Sequence, residues 1–188
     1  MTKKIQKELL KNKIAIFGLG YVGLPLAVEF GNKFDTIGYD INFERIKNLN
    51  KGHDYTKEFS KKYIKSPKNL KITNQINKLS DRSIFIITVP TPIYKNKKPD
   101  FRNLIDATKA VSKIIKKNSI IIYESTVYPG LTEEICIPII EKNTKLVANK
   151  DFFYGYSPER INPGDKKHQL KNIKKIVSGS NSYSEKTI

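Results

Sequence analysis

Short apolar, β-branched runs alternate along this chain with segments whose apolar residues recur at helical spacing. The runs predict β-strands at residues 14–17, 34–39, 70–73, 83–89, 119–123, 152–157 and 173–178. The periodic segments predict helices at 24–30, 43–49, 100–117 and 131–142. Strands and helices in regular alternation are typical of a doubly wound parallel sheet. We therefore expect an α/β, Rossmann-like fold.

Three regions at the margins of this pattern carry their own expectations. Residues 1–12 predict a short amphipathic leader helix, so the main domain should occupy residues 13–188. Pro138 should bend or shorten the helix at 131–142, because proline cannot donate a backbone hydrogen bond. The Gly-, Ser- and Asn-rich sequence after residue 178 predicts no closing element.

The first predicted strand runs into Gly18-x-Gly20-x-x-Gly23, which opens the first predicted helix. This spacing fits the dinucleotide-binding fingerprint. Gly18 permits the tight turn, Gly20 lets the backbone approach a pyrophosphate, and Gly23 lets the helix lie against the strand. The helix N-terminus then offers free N–H groups to the phosphates.

The second predicted strand ends at Asp40, about 20 residues beyond the glycines, where a carboxylate accepts hydrogen bonds from an adenosine ribose. A carboxylate there repels a 2′-phosphate, which favours NAD over NADP. Arg45 leaves this choice partly open, because a nearby arginine can accommodate that phosphate.

Hydroxyl residues follow two further predicted strands. Pro90-Thr91-Pro92 ends the run at 83–89, and Glu124-Ser125-Thr126 follows the run at 119–123. Ligands of open parallel sheets bind at the carboxyl ends of the strands, so these residues are placed to meet the cofactor. Thr132, in the first turn of the next predicted helix, lies close to any phosphate.

Composition narrows the classes of function. The net charge is +17, which raises nucleic-acid binding as an alternative, but the lysines form no block and no nucleic-acid motif is present. The lone Cys136 cannot form an internal disulfide and suits a reducing cytoplasm, and no apolar stretch approaches a membrane span. We assign no metal site and expect Cys136 to face the core.

Several strand-end motifs together resemble the UDP-glucose/GDP-mannose dehydrogenase family. They are Gly18-Leu-Gly-Tyr-Val-Gly-Leu-Pro25, Asp40 with Arg45, Val89-Pro-Thr-Pro92, Glu124-Ser-Thr-Val-Tyr-Pro-Gly130 and Tyr156-Ser-Pro-Glu-Arg-Ile-Asn-Pro-Gly164. They occur in the family's order over nearly the whole chain, and the last two are more specific than the glycines. The set is most similar to the branch that oxidises UDP-N-acetylhexosamines for surface polysaccharides.

The resemblance implies a cytoplasmic enzyme that oxidises a sugar C6 alcohol to a carboxylate with two NAD⁺ per UDP-sugar. It implies a homodimer or larger assembly of the full-length form, without nucleic-acid or membrane partners. It assigns the catalytic water and proton movement to Thr126 and Glu159, and the nucleotide-sugar loop to Glu159, Arg160 and Ile161. The implied NAD contacts, beside the glycines, are Tyr21, Val22, Asp40, Arg45, Thr91, Thr126 and Thr132.

The family's nucleophilic cysteine, catalytic lysine, central helix and UDP-binding domain have no counterpart up to residue 188. Cys136 is no substitute, because it lies in a predicted helix at the wrong place in the pattern. The resemblance therefore implies an N-terminal NAD-binding part, truncated after that domain and inactive by itself. The alternative is a stand-alone NAD-binding or regulatory module without catalysis.

Overall fold

The computed structural model describes residues 13–159 and 174–188. The predicted leader helix at 1–12 lies outside these residues. The strands are β1 Ile14–Phe17, β2 Thr36–Tyr39, β3 Leu70–Thr73, β4 Ile84–Ile87, β5 Ile120–Tyr123, β6 Phe153–Tyr156 and β7 Ser178–Gly179. The α-helices are α1 Gly23–Gly31, α2 Phe43–Asn50, α3 Lys61–Ile64, α4 Arg102–Ser112, α5 Ile137–Thr144 and α6 Ser182–Thr187. A 3₁₀ turn occupies Ile76–Leu79.

The described strands form one seven-stranded sheet in the order β3-β2-β1-β4-β5-β6-β7. Strands β1 to β6 pair in parallel, as the alternation of elements predicts. The order reverses between β1 and β4, which creates a switch point where a crevice opens at the carboxyl edge. The Rossmann-like, doubly wound expectation is therefore confirmed.

Alternate residues of the central strands pack into two separate cores. Ile14 and Ile16 of β1 lie in the core under α1, α2 and α3, whereas Ala15 and Phe17 lie in the core under α4 and α5. Successive side chains of a strand point to opposite faces, so an uninterrupted apolar strand needs helices on both sides. The two cores therefore bury both faces of the sheet.

The prediction of a helix at 131–142, bent or shortened by Pro138, is correct in part: the segment is helical, but it is divided in two ahead of Pro138. Thr132–Cys136 forms a π turn, and α5 begins only after it. The Ile137 N–H donates to the Thr132 carbonyl, five residues earlier. Pro138 lacks an N–H and cannot continue the α-helical ladder at that point, so a wider turn precedes α5.

The C-terminal end differs from expectation in two ways. The strand expected at 173–178 is the two-residue β7, and it pairs antiparallel with β6 through Gly155 and Gly179. A closing element also exists, contrary to expectation: α6 begins at an Asn181 cap whose side chain accepts from the Ser184 N–H. Asn and Ser disfavour helix interiors but stabilise helix N-termini, which explains why the composition misleads here.

Helix α4 is shorter than the predicted 100–117. It ends at Ser112, and Asn118 takes a left-handed φ of +66° before β5 begins. The predicted helix at 43–49 and its Asn42 cap are confirmed, since the Asn42 side chain accepts from the Arg45 N–H. No helix among residues 13–159 and 174–188 combines the length and apolar character needed to cross a bilayer.

Replacing Leu104 on α4 by alanine should lower the free energy of unfolding by about 2–5 kcal/mol, because it opens a cavity under a fully buried side chain. Lys109→Ala on the exposed face of α4 is the matched control, and its change should stay within about 0.5 kcal/mol. Urea unfolding followed by circular dichroism measures both. Equal effects would contradict the packing of α4 on the sheet.

Candidate functional site

The glycine turn after β1 has the geometry that its spacing predicts. Gly18 adopts φ +89°, and a Cβ on Gly23 would lie 1.7 Å from the Gly18 carbonyl oxygen and 2.4 Å from Thr88 Oγ1. Only glycine fits at Gly23, because α1 lies directly against the turn. A Cβ on Gly20 would meet no atom within 4 Å, so this side of the turn is open to a ligand.

Leu19 lies between the first two glycines, and side chains form hydrogen bonds with both its backbone N–H and its carbonyl. Asp40 Oδ2 accepts the Leu19 N–H at 2.8 Å, and Arg45 Nε and Nη2 donate to the Leu19 carbonyl at 2.9 and 2.7 Å. Asp40 Oδ1 also accepts the Asn42 N–H at 2.9 Å. The carboxylate and the guanidinium thereby fix the turn, leaving Gly20 facing outward.

Arg45 is itself fixed by a buried ion pair. Its Nη1 lies 2.6 Å from Asp54 Oδ1, and the two side chains are 2% and 0% exposed. Burial opposes ionisation of Asp54, but hydrogen bonds from Thr56 and the Arg45 cation outweigh it and lower the pKa of that carboxyl. The Tyr55 ring covers the guanidinium at 4.2 Å. Breaking such a pair leaves an uncompensated buried charge.

A cavity of about 320 Å³ opens beside the glycine turn at the switch point between β1 and β4. Gly18, Gly20, Asp40 and Arg45 line it from one side. Val89 and Pro90, in the loop after β4, line it from the other side. Helix α4 contributes Asn103, Asp106, Ala107 and Ala110. An open glycine, a carboxylate at the end of β2 and apolar walls fit the adenosine and pyrophosphate of a dinucleotide.

The loops after β4 and β5 are joined by hydroxyl groups. Thr91 Oγ1 donates to the Thr126 carbonyl at 2.9 Å, and Ser125 Oγ donates to the Val89 carbonyl at 2.7 Å. Thr88 Oγ1 lies 2.9 Å from the Phe17 carbonyl and 2.8 Å from the Gly18 carbonyl. These hydrogen bonds connect the loops after β4 and β5 with each other and with the glycine turn.

Three charged side chains meet at the ends of β5 and β6. Lys175 pairs with Glu124, and its Nζ lies 3.9 Å from Glu159 Oε2. The three side chains are 20%, 8% and 13% exposed, respectively. Burial raises the pKa of Glu124, the Lys175 cation opposes this, and the Glu159 carboxylate adds to it. Ser157 Oγ, also buried here, has no hydrogen-bond partner among the described residues.

Most site residues predicted from the sequence follow the carboxyl ends of β1, β2, β4, β5 and β6. Tyr21 and Thr126 are exposed, and Val22 and Thr91 are half-buried. Glu159 is largely buried, and Thr132 is buried in the π turn. Arg45 differs from expectation, since it is buried and engaged by the protein itself. Arg160 and Ile161 lie outside the described residues.

Sequence reasoning missed three polar residues of this edge, Asp54, Thr88 and Lys175, and it named Glu124 without the ion pair that Glu124 forms with Lys175. Thr88 lies within the strand predicted at 83–89, but β4 ends at Ile87, so the Thr88 hydroxyl belongs to the strand end. Asp54 lies in a polar loop without periodicity, and Lys175 is one of 35 cationic residues. Only the tertiary structure brings these two to the site.

The fold and the glycine-turn cavity define a Rossmann-like dinucleotide-binding domain. Residues 12–188 match the family model described as "UDP-glucose/GDP-mannose dehydrogenase family, NAD binding domain". The chain therefore belongs to this family, of which it carries the NAD-binding domain, and its cofactor is NAD.

The chain is similar over most of its length to curated proteins. It is 53% identical over 168 residues to a UDP-N-acetyl-D-glucosamine 6-dehydrogenase from Pseudomonas aeruginosa, covering 89% of this chain and 40% of the relative. It is 52% identical over 170 residues to Protein CapL from Staphylococcus aureus, covering 90% and 40%. It thus spans about two fifths of these relatives' length and corresponds to their N-terminal, NAD-binding part.

Solved structures agree. The NDP-N-acetyl-D-galactosaminuronic acid dehydrogenase from Methanosarcina mazei superposes with a TM-score of 0.85 at 30% identity, covering all of this chain and 43% of that one. The UDP-D-ManNAc dehydrogenase from Pyrococcus horikoshii gives 0.81 at 34% identity, covering 92% and 42%. The sheet order and the glycine turn therefore belong to a known dehydrogenase domain.

Gly23→Ala should lower the free energy of unfolding by about 3 kcal/mol, because its methyl overlaps the Gly18 carbonyl. Gly20→Ala is the matched control: its free energy of unfolding should change by less than about 0.5 kcal/mol, since the methyl enters open space.

The methyl of Gly20→Ala also occupies the space left for the ligand, so NAD⁺ affinity measured by calorimetry should fall about tenfold. Unchanged NAD⁺ binding by Gly20→Ala would remove the pyrophosphate from this turn.

Proposed function

We propose that this chain is the NAD-binding part of a nucleotide-sugar dehydrogenase that oxidises a UDP-N-acetylhexosamine at C6 to the uronate. The observation that carries the proposal is the 53% identity to a UDP-N-acetyl-D-glucosamine 6-dehydrogenase over 168 residues. The family match over residues 12–188 includes the whole glycine-turn cavity. Surface polysaccharide synthesis in the cytoplasm is the setting that this activity fits.

The first step is cofactor binding. Gly20 and the α1 N-terminus receive the pyrophosphate, where free N–H groups and the helix dipole favour negative charge. Asp40 accepts the ribose hydroxyls while its other contacts hold Leu19 and Asn42. Tyr21 and Val22 lie at the start of α1, beside the phosphates. Arg45 acts by holding the Leu19 carbonyl.

The nicotinamide half of the cofactor follows the edge toward β4 and β5. Thr91 and Thr126 are joined by a hydrogen bond, so they present one rigid surface to it. Thr132 approaches from the π turn. When bound, NAD⁺ supplies the hydride acceptor for the sugar.

The chemistry requires water and a base. Converting the C6 alcohol to a carboxylate consumes one water and two NAD⁺, and it releases two NADH and three protons. In the proposal Thr126 holds the water and Glu159 takes a proton from it. Lys175 Nζ lies 3.9 Å from Glu159 Oε2 and places a positive charge beside the proposed base.

The sugar nucleotide is the other partner. We propose that Glu159, Arg160 and Ile161 belong to the loop that lines its site, because arginine recognises diphosphates with its planar fork. The remaining part of the longer protein would supply the cysteine nucleophile and the UDP-binding surface. The whole protein would act as a homodimer or larger assembly, without nucleic-acid or membrane partners.

Cofactor binding is tested with this chain itself. Asp40→Ala should weaken NAD⁺ binding at least about tenfold in calorimetry, because it removes charge-assisted bonds to the ribose and releases Leu19. Glu185→Ala, which removes one exposed carboxylate on α6, is the control and should bind as the parent does. Equal affinity of the Asp40 and Glu185 variants would refute the assigned site.

The reaction is tested in a chimera, in which this chain replaces the matching segment of the Pseudomonas aeruginosa relative. The chimera should produce NADH when UDP-N-acetylglucosamine is added. Glu159→Gln should lower kcat about 100-fold or more at unchanged NAD⁺ affinity, because it removes the base. A chimera that binds NAD⁺ but oxidises no UDP-N-acetylhexosamine would support the stand-alone module instead.

A further inference from the structure

Arg45 is the only cationic side chain among the described residues that line the cofactor cavity. An arginine near the end of β2 is the group that accommodates a 2′-phosphate in NADP-binding domains. An arginine in the same cavity as Asp40 would be expected to favour NADP, because its cation can pair with the 2′-phosphate that the Asp40 carboxylate repels.

The guanidinium is occupied on several sides. Nε and Nη2 donate to the Leu19 carbonyl, Nη1 donates to Asp54, and the Tyr55 ring covers one face. With 2% of its side chain exposed, Arg45 presents little of its charge to the cavity. Reaching a 2′-phosphate would require breaking the Asp54 pair, the Leu19 bonds, or both.

Asp54 is held independently of Arg45. Thr56 donates to it through its hydroxyl at 2.6 Å and its N–H at 3.2 Å, and the Phe59 N–H donates at 3.2 Å. The carboxylate is 0% exposed and lies in the loop between α2 and α3. These hydrogen bonds fix the position of the Asp54 carboxylate. The carboxylate therefore holds the Arg45 guanidinium at the wall of the cavity, with little of its charge exposed.

We propose that Asp54 is a positioning residue for cofactor choice: by holding Arg45 against the Leu19 carbonyl, it withholds the cavity's cation from a 2′-phosphate and so selects NAD over NADP. The inference rests on the proposed NAD site and adds a residue that touches neither cofactor. Asp40, Asp54 and Arg45 together carry one net negative charge. Loss of Asp54 would leave Arg45 free to balance Asp40.

The test is the ratio of the NADP⁺ and NAD⁺ dissociation constants, measured on the full chain by calorimetry, with NADP⁺ also measured by competition. Asp54→Asn should lower this ratio about tenfold or more, since a released arginine gains a charge-assisted bond to the 2′-phosphate. A purely structural role of Asp54 would weaken both nucleotides equally and leave the ratio unchanged. That result would overturn the proposal.

A double variant shows whether the effect passes through Arg45. Asp54→Asn with Arg45→Met should have the same ratio as Arg45→Met alone, because no guanidinium is left to release. A lower ratio in the double variant would mean that Asp54 acts directly through its own field on the phosphate, and the positioning role would be wrong.

A milder variant covers the case in which Asp54→Asn does not fold. Thr56→Val removes the hydroxyl donor at 2.6 Å and should lower the ratio about twofold. An unchanged ratio in this variant, with Asp54→Asn unfolded, would count against the proposal.

The proposed function and this inference fail in different ways. Failure of the parent chain to bind NAD⁺ would refute the proposed function. NAD⁺ binding with a dissociation-constant ratio that is insensitive to Asp54 would refute the inference alone.

Discussion

The site depends on one residue of backbone, Leu19, being held at both its N–H and its carbonyl. Asp40 accepts from the first and Arg45 donates to the second, so the turn between Gly18 and Gly20 has little freedom. A rigid turn presents its free groups to a ligand without first being ordered, and this reduces the entropy lost on binding. The crowding of Gly23 against the Gly18 carbonyl fixes the same turn from the helix side.

The restraint extends outward through hydrogen bonds in both directions along the sheet edge. On one side it passes from Arg45 to Asp54 and the loop after α2. On the other it passes through Thr88 to β4, and from Thr91 to the loop after β5. Buried polar networks of this kind specify a unique arrangement when their members are paired. The edge is therefore built as one connected surface, from the glycine turn to the charged cluster of Glu124, Lys175 and Glu159.

The charge of the chain does not describe the charge of its site. The sequence has a net charge of +17, yet the described lining of the cavity contains two carboxylates, Asp40 and Asp106, and a single cation. The cation is paired with a further buried carboxylate, Asp54. Selection among phosphorylated ligands at this edge is accordingly a matter of which charge can reach the ligand, and not of the overall excess of lysine.

The sequence by itself determined the first six strands, their parallel pairing, the glycine turn and the polar residues at the strand ends, because these follow from local periodicity and from glycine spacing. It also placed Asp40 directly after β2, at a distance from the glycines that the length of a βαβ unit sets. The sequence did not predict the π turn before α5 or the Asn181-capped α6. Both elements depend on hydrogen bonds to backbone groups, which the hydrophobic pattern does not record. The tertiary structure alone decided the state of Arg45, which sequence reasoning had to leave open. Its partner Asp54 lies in a loop without periodicity, and no local pattern records that folding brings an arginine and an aspartate into one buried pair.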